Sequence, residues 1–257
     1  MAAALQDTRL RDKFSDALAR AEQLDVTDNH ALIRDAAVAD GRAAVDTFAT
    51  IIEREDVQEV ARIEAESSVA ETRQTADHAF TAIRSSLGTG LALMRANNET
   101  GVIRETREAE GYLDRVQASD FKSMSHADAR TNLERAVTYV DKLVPDELGA
   151  PVMAVAQPAL DNFTQAVEGQ ARAEGKWVEA QASLEAGRAQ VRDAYLSFRD
   201  HMRGILRQTG QIDKLGQIVP ALHDIIRAGH GTPTNDDPTV DPAGGDEPTP
   251  EPIVDEA

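Results

Sequence analysis

Apolar residues recur along most of this chain at steps of three and four. Leu10, Phe14, Leu18, Ala21 and Leu24 form the first such series, which places them on one face of an amphipathic helix over about residues 3–25. Thr27 or Asp28 then offers an N-cap. From Ala31 to Asn97 there is no proline, and only Gly41, Gly88 and Gly90 interrupt the helical pattern. The spacing therefore predicts one long helix, on the order of 100 Å at 1.5 Å per residue if unbroken. Asn97-Asn98-Glu99-Thr100-Gly101 marks its end, and a third helix carries Val102, Ile103, Tyr112, Leu113 and Val116.

The same plan then returns. Ser125 caps a helix with Leu133, Val137, Val140 and Leu143. The turn from Val144 to Gly149 leads to a second long helix over about 151–209. A last helix, about 212–228, holds Leu215, Ile218, Leu222 and Ile225, with Pro220 near its first turn. At an offset of 115, residues 44–92 align without a gap on 159–207, and 12 of the 49 pairs are identical, among them Phe48/Phe163, Glu59/Glu174, Arg73/Arg188 and Arg84/Arg199. Apolar character is kept at Ile52/Val167, Ile63/Val178, Val69/Leu184, Phe80/Tyr195, Ile83/Phe198, Leu87/Met202 and Leu91/Leu206. Self-similarity at a fixed offset is the mark of a repeated unit. We expect a helical body over residues 1–228, with one short-long-short repeat at about 1–118 and a second at about 119–228. Short connections favour antiparallel neighbours. The expected fold is thus all-α, an elongated antiparallel bundle of two tandem three-helix repeats. In architecture alone the duplicated plan is similar to the helical barrel of outer-membrane efflux channels. The chain lacks strand-forming hairpins between the first and long helices, so the likeness implies no shared function.

Charge interrupts the apolar pattern in the middle of the long helices. A heptad seam through Phe48 and Ile52 also takes in Glu59 and Arg73, with Glu174 and Arg188 as their repeat mates. Antiparallel partners related by a pseudo-twofold share a constant sum of residue numbers. Glu59 with Arg188 and Arg73 with Glu174 both sum to 247. The sequence thus predicts two reciprocal cross-helix ion pairs that set register.

Composition narrows the function classes. The 257 residues carry 45 acids against 27 bases, a net charge of −18, with no cysteine and a single tryptophan. That excludes a disulfide framework and a cysteine-ligated metal, and so acidic a surface repels nucleic acid. The longest weakly polar stretch, Ala150–Leu160, is too short to cross a bilayer, and no apolar segment of secretory length follows Met1. A cytoplasmic location and little affinity for membranes are the expectations. Residues 229–257 hold 8 acids, no Lys or Arg and 6 of the chain's 10 prolines. Such a composition predicts a disordered acidic tail. The tail ends in Ile253, Val254, Asp255, Glu256 and Ala257, which reads either as a tethered docking peptide or as an inert solubilising end.

Signatures of chemistry are sparse. None of the six histidines follows a Glu by three residues, and no zinc, phosphate-loop or nucleophile-elbow motif occurs. Asp46, Glu53 and Glu64 share a helix face, as do Asp161, Glu168 and Glu179, but a solvated acidic stripe explains them better than a cation cage. No metal, cofactor or catalytic residue is expected. One basic stripe stands out, with Arg188, Arg192, Arg199, Arg203 and Arg207 roughly on one side of the second long helix, either a candidate site for an acidic partner, phosphate groups or the tail or a line of intrahelical pairs with neighbouring acids. The reading that follows is a non-enzymatic helical scaffold or adaptor that binds proteins through its rod surface and its tail. Its partners are of unspecified identity, self-association is left open, and nucleic acid is excluded. The alternatives are a membrane-active or lipid-binding helical protein of pore-forming type and, third, a carboxylate-metal helical protein.

Overall fold

The computed structural model describes residues 2–97 and 103–227. The acidic tail, and with it the candidate docking residues 253–257, lies outside the described residues. Every regular element among those described is helical. Helix α1 (Ala2–Glu22) leads by a short turn into α2 (Asp28–Ala96), 69 residues long. Helices α3 (Ile103–Arg115), α4 (Ala118–Ser123) and α5 (His126–Leu143) follow, then α6 (Asp146–Gln208), 63 residues long. A 3₁₀ turn (Ile212–Lys214) opens the last segment, ahead of α7 (Leu215–Ile218) and α8 (Leu222–Arg227).

Three local outcomes differ from the expected boundaries. Helix α6 starts at Asp146, five residues before the expected 151, and carries Pro151 and Pro158 inside it. Each proline forfeits one i→i−4 bond. The helix continues because Ala156, Ala159, Leu160 and Phe163 are buried just there, and because Asp146 and Glu147 favour its N-terminus. The last helix is split rather than single. Pro220 forces the preceding Val219 out of the helical region, to φ −126° and ψ 92°, so α7 stops at Ile218 and α8 begins afresh. Helix α4 was not expected at all; the Gln117 side chain and Asp120 cap it reciprocally.

The two long helices pack antiparallel. His30 meets Gln208 at 2.7 Å, Gly187 lies against Phe48 and Ile51, Glu55 bonds Gln181, Arg62 sits 5.0 Å over Trp177 and Arg73 sits 5.6 Å from the Phe163 ring. The residue numbers in these pairs sum to between 235 and 239. At 1.5 Å per residue the pair makes a rod about 100 Å long. Glycine matters at two places along it. A Cβ on Gly187 would come 3.0 Å from Ile51 Cδ1, so the bare backbone lets the helices approach. Gly210, with φ 71°, closes α6 in a Schellman turn, Gln211 donating to the Leu206 carbonyl at 2.7 Å.

Burial is divided between the two ends. One core joins α1, the first part of α2, the last part of α6, and α7 with α8, around Phe14, Leu18, Phe48, Tyr195, Phe198 and Met202. The other joins the last part of α2, the first part of α6, and α3, α4 and α5, around Phe80, Ile83, Leu87, Phe121, Leu133 and Phe163. Positions 115 apart match: Leu18 with Leu133, Phe48 with Phe163, Val69 with Leu184, Phe80 with Tyr195, Ile83 with Phe198, Leu87 with Met202 and Leu91 with Leu206 are all buried. Aromatic contacts knit each end, Phe14 edge-on to Tyr195 at 5.1 Å and Phe80 stacked on Phe121 at 4.0 Å. Between the ends, no apolar residue of 53–68 or 164–179 is buried. The molecule has two cores and a waist.

Because they share only that waist, the cores should loosen separately. Phe48→Ala is expected to cost about 3–5 kcal/mol of local stability and to speed amide exchange in α1 and its neighbours while sparing α5. Phe163→Ala should do the reverse. Equal acceleration at both ends in either variant would show that the rod opens as a single unit.

Candidate functional site

The repeated arginines of the long helices do not pair across the rod. Arg188 donates to Asp7 of α1 through Nε at 2.8 Å and through a terminal nitrogen at 2.6 Å, and also to Glu185 one turn back. Arg73 bonds Asp77 at 3.0 Å and the Phe121 carbonyl of α4, with its guanidinium 4.9 Å from the Phe121 ring. The predicted pairs Glu59–Arg188 and Arg73–Glu174 are therefore corrected. Gly187 is level with Ile51, so Glu59 lies eight residues, about 12 Å, farther along. Glu174 is displaced eleven residues from Phe163, opposite Arg73. Both glutamates are solvent-exposed. Each arginine instead ties its long helix to a short one, Arg188 to α1 through the Asp7 carboxylate and Arg73 to α4 through the Phe121 carbonyl. The Asp7 contact spans 181 residues, and no local pattern announces it. Its hydrogen bond to Asp7 raises the Arg188 pKa above the ordinary guanidinium value.

Other polar ties were also missed. His30 joins Thr27 at 2.8 Å and Gln208 at 2.7 Å, fastening the start of α2 to the end of α6. Tyr195 donates to the Pro220 carbonyl at 2.6 Å, which holds the α7–α8 break over the core. Burial pushes its phenol up to about 12. At the waist, Trp177 under Arg62 and the Glu55–Gln181 bond replace an apolar seam. Val57, Val60, Ile63 and Val178 are each more than half exposed around it.

A shallow groove follows one side of the rod. Three concavities along it are lined by α2 and α6 alone, and none includes a short-helix residue. On α2 the lining residues Ala44, Ile51, Ala65 and Thr72 fall at multiples of seven. On α6, Asn162, Gly169, Gln190, Ser197 and Gly204 do the same. Heptad spacing on both helices puts the concavities on one continuous flank. The lining is mostly small, so the groove floor lies close to both backbones.

The arginine stripe of α6 has mixed status. Arg188 is committed to Asp7 and Glu185, and Arg203 pairs with Asp200 at 3.0 Å. Arg192 and Arg207 are exposed and Arg199 is half-buried, its Nε buried without a hydrogen-bond partner. The six carboxylates weighed as a cation cage, Asp46, Glu53, Glu64, Asp161, Glu168 and Glu179, are all exposed. Among the described residues no group of three or more His, Asp or Glu could hold a metal ion, and no helix is long and apolar enough to cross a membrane. Comparison with protein families, curated proteins and solved structures finds no match.

Two expectations follow from these contacts. Arg188→Ala strands a nearly buried Asp7 carboxylate and should cost about 3–5 kcal/mol, whereas Asp7→Ala/Arg188→Ala should cost less than the single change; Glu59→Ala should stay within about 0.5 kcal/mol. Equilibrium unfolding of the three variants measures this. Tyr195 ionises at higher pH folded than unfolded, so its contribution is intact below about 10 and is lost as pH rises towards the folded value of about 12. Tyr195→Phe should flatten that alkaline loss in a pH series of unfolding midpoints, and an unchanged slope would contradict the assignment.

Proposed function

We propose that this protein is a non-enzymatic helical scaffold or adaptor, built from two tandem short-long-short units and binding protein partners along its rod. The observation that carries this reading is the heptad-spaced groove between α2 and α6, which the short helices leave open. A helix lying in such a groove would bury its own apolar stripe against both long helices, the mode by which amphipathic segments dock. Two further features support it. The rod is rigid at both ends, where the arginine anchors and aromatic contacts fix the short helices. Its length, about 100 Å, offers more surface than its 257 residues would as a sphere.

Burial at matched positions 115 apart supports duplication as the origin of the plan. A duplicated rod presents similar chemistry in both directions, which suits it to engage two partners or two copies of one partner. The tail, residues 229–257, would add an extended acidic arm.

Affinity capture with a groove-blocked variant tests the proposal. Ala61→Arg/Ala65→Arg places two long cations on the groove and should abolish capture of partners bound by the parent chain, with the melting midpoint unchanged. Capture that survives the double substitution would refute the groove as the binding surface. Flotation of the protein with liposomes would favour membrane activity in its place.

A further inference from the structure

The described chain ends at Arg227, two residues beyond Ile225. Ile225 is part of the wall of a concavity at the junction of α1, α6 and α8, where Leu10, Arg9, Arg188 and Arg192 also line it. The tail therefore leaves the body at the mouth of a site that contains arginine. Within that site Arg188 is already neutralised by Asp7 and Glu185. Arg192 is not: it is exposed and makes no ion pair among the described residues. Farther along the same side of α6 come Arg199, whose buried Nε has no partner, and exposed Arg207. Asp193 and Asp200 adjoin this line, and Asp200 is taken by Arg203.

Charge favours one occupant. The tail holds 8 acids and no Lys or Arg, on a chain with net charge −18. Most of the body repels such a segment, and the Arg192–Arg207 line is where it meets uncompensated cations within reach. Reach is sufficient. Asp236 and Asp237 stand eleven and twelve residues after Ile225, up to about 35 Å of extended chain. Arg192 and Arg207 are fifteen residues apart on α6, about 22 Å. Tethering also holds the segment at an effective concentration on the order of millimolar, so modest ion pairs suffice where a free peptide would dissociate.

We propose that the acidic segment 236–256 lies along Arg192, Arg199 and Arg207 of its own chain, entering past Ile225, as an intramolecular electrostatic clasp. Arg192 and Arg207 act as the point cations. Prolines at 238, 242, 248, 250 and 252 keep the segment extended, so that its carboxylates meet the helix side in succession. The clasp occupies that side until salt or a competing polyanion displaces it. It stands apart from the groove, which α2 and α6 line without Arg192 or Arg207, and it does not depend on the scaffold reading.

Amide NMR of the full-length, isotope-labelled chain tests this. At about 0.01 M salt, where screening is weak, peaks from residues 229–257 should lose intensity; at about 1 M they should recover. Arg192→Glu/Arg207→Glu should give the recovered spectrum already at low salt, and adding Asp236→Lys/Asp237→Lys to that variant should restore the loss. Both arginines are exposed, so an unchanged melting midpoint confirms that the body is intact. Tail peaks equally intense at both salt concentrations, or unaffected by the arginine substitutions, would overturn the clasp. A loss of intensity that disappears on dilution would also overturn it, because the tail would then be held by a second copy.

Discussion

Along the two long helices of this molecule, apolar residues are buried where a third layer of short helices covers them. That coverage organises the rest of the structure. The short helices cover α2 and α6 at the ends of the rod, and the buried apolar residues are found there. In the middle, where nothing covers the pair, the seam changes character to Arg62 over Trp177 and Glu55 with Gln181. Burial of apolar area supplies most of the favourable free energy of packing, so the register of the long helices is decided at their ends and only followed at the waist.

Much of this was legible in the sequence. Steps of three and four gave α1, α2 and α5 closely, and most of the apolar pairs 115 apart are buried, although Ile63 and Val178 are exposed at the waist. Phe48 with Phe163 and Leu87 with Met202 are examples of the buried pairs. The pairing of charges was not legible. Arg73 and Arg188 sit near a seam position in their helices, but their guanidinium groups are long enough to turn towards the short helices, where Phe121 and Asp7 receive them. A heptad pattern ranks positions on one helix and carries no information about a layer brought in from far along the chain. Charged pairs are also weak register signals, because desolvation offsets attraction. The proline outcomes have the same cause. Pro151 and Pro158 are tolerated because burial around Ala156 and Phe163 outweighs two lost bonds, whereas the segment around Pro220 is too short to resist.

The candidate surfaces divide along the same line. Residues that face a short-helix layer are committed to structure, as Arg188 is to Asp7. Surfaces the short helices leave bare, the α2–α6 groove and the outer side of the α6 arginines, are free to meet other molecules or the chain's own tail. The long helices are thus covered at both ends and bare along their sides.

The register of α2 against α6 is the premise on which all of this rests, and cysteine cross-linking measures it most directly. The native sequence has no cysteine, so introduced pairs report alone. Ile51→Cys/Gly187→Cys should oxidise rapidly to an intramolecular disulfide, since a Cβ at 187 lies 3.0 Å from the Ile51 side chain. Glu59→Cys/Arg188→Cys should stay reduced. Rapid closure of the second pair, with the first inert, would contradict the account.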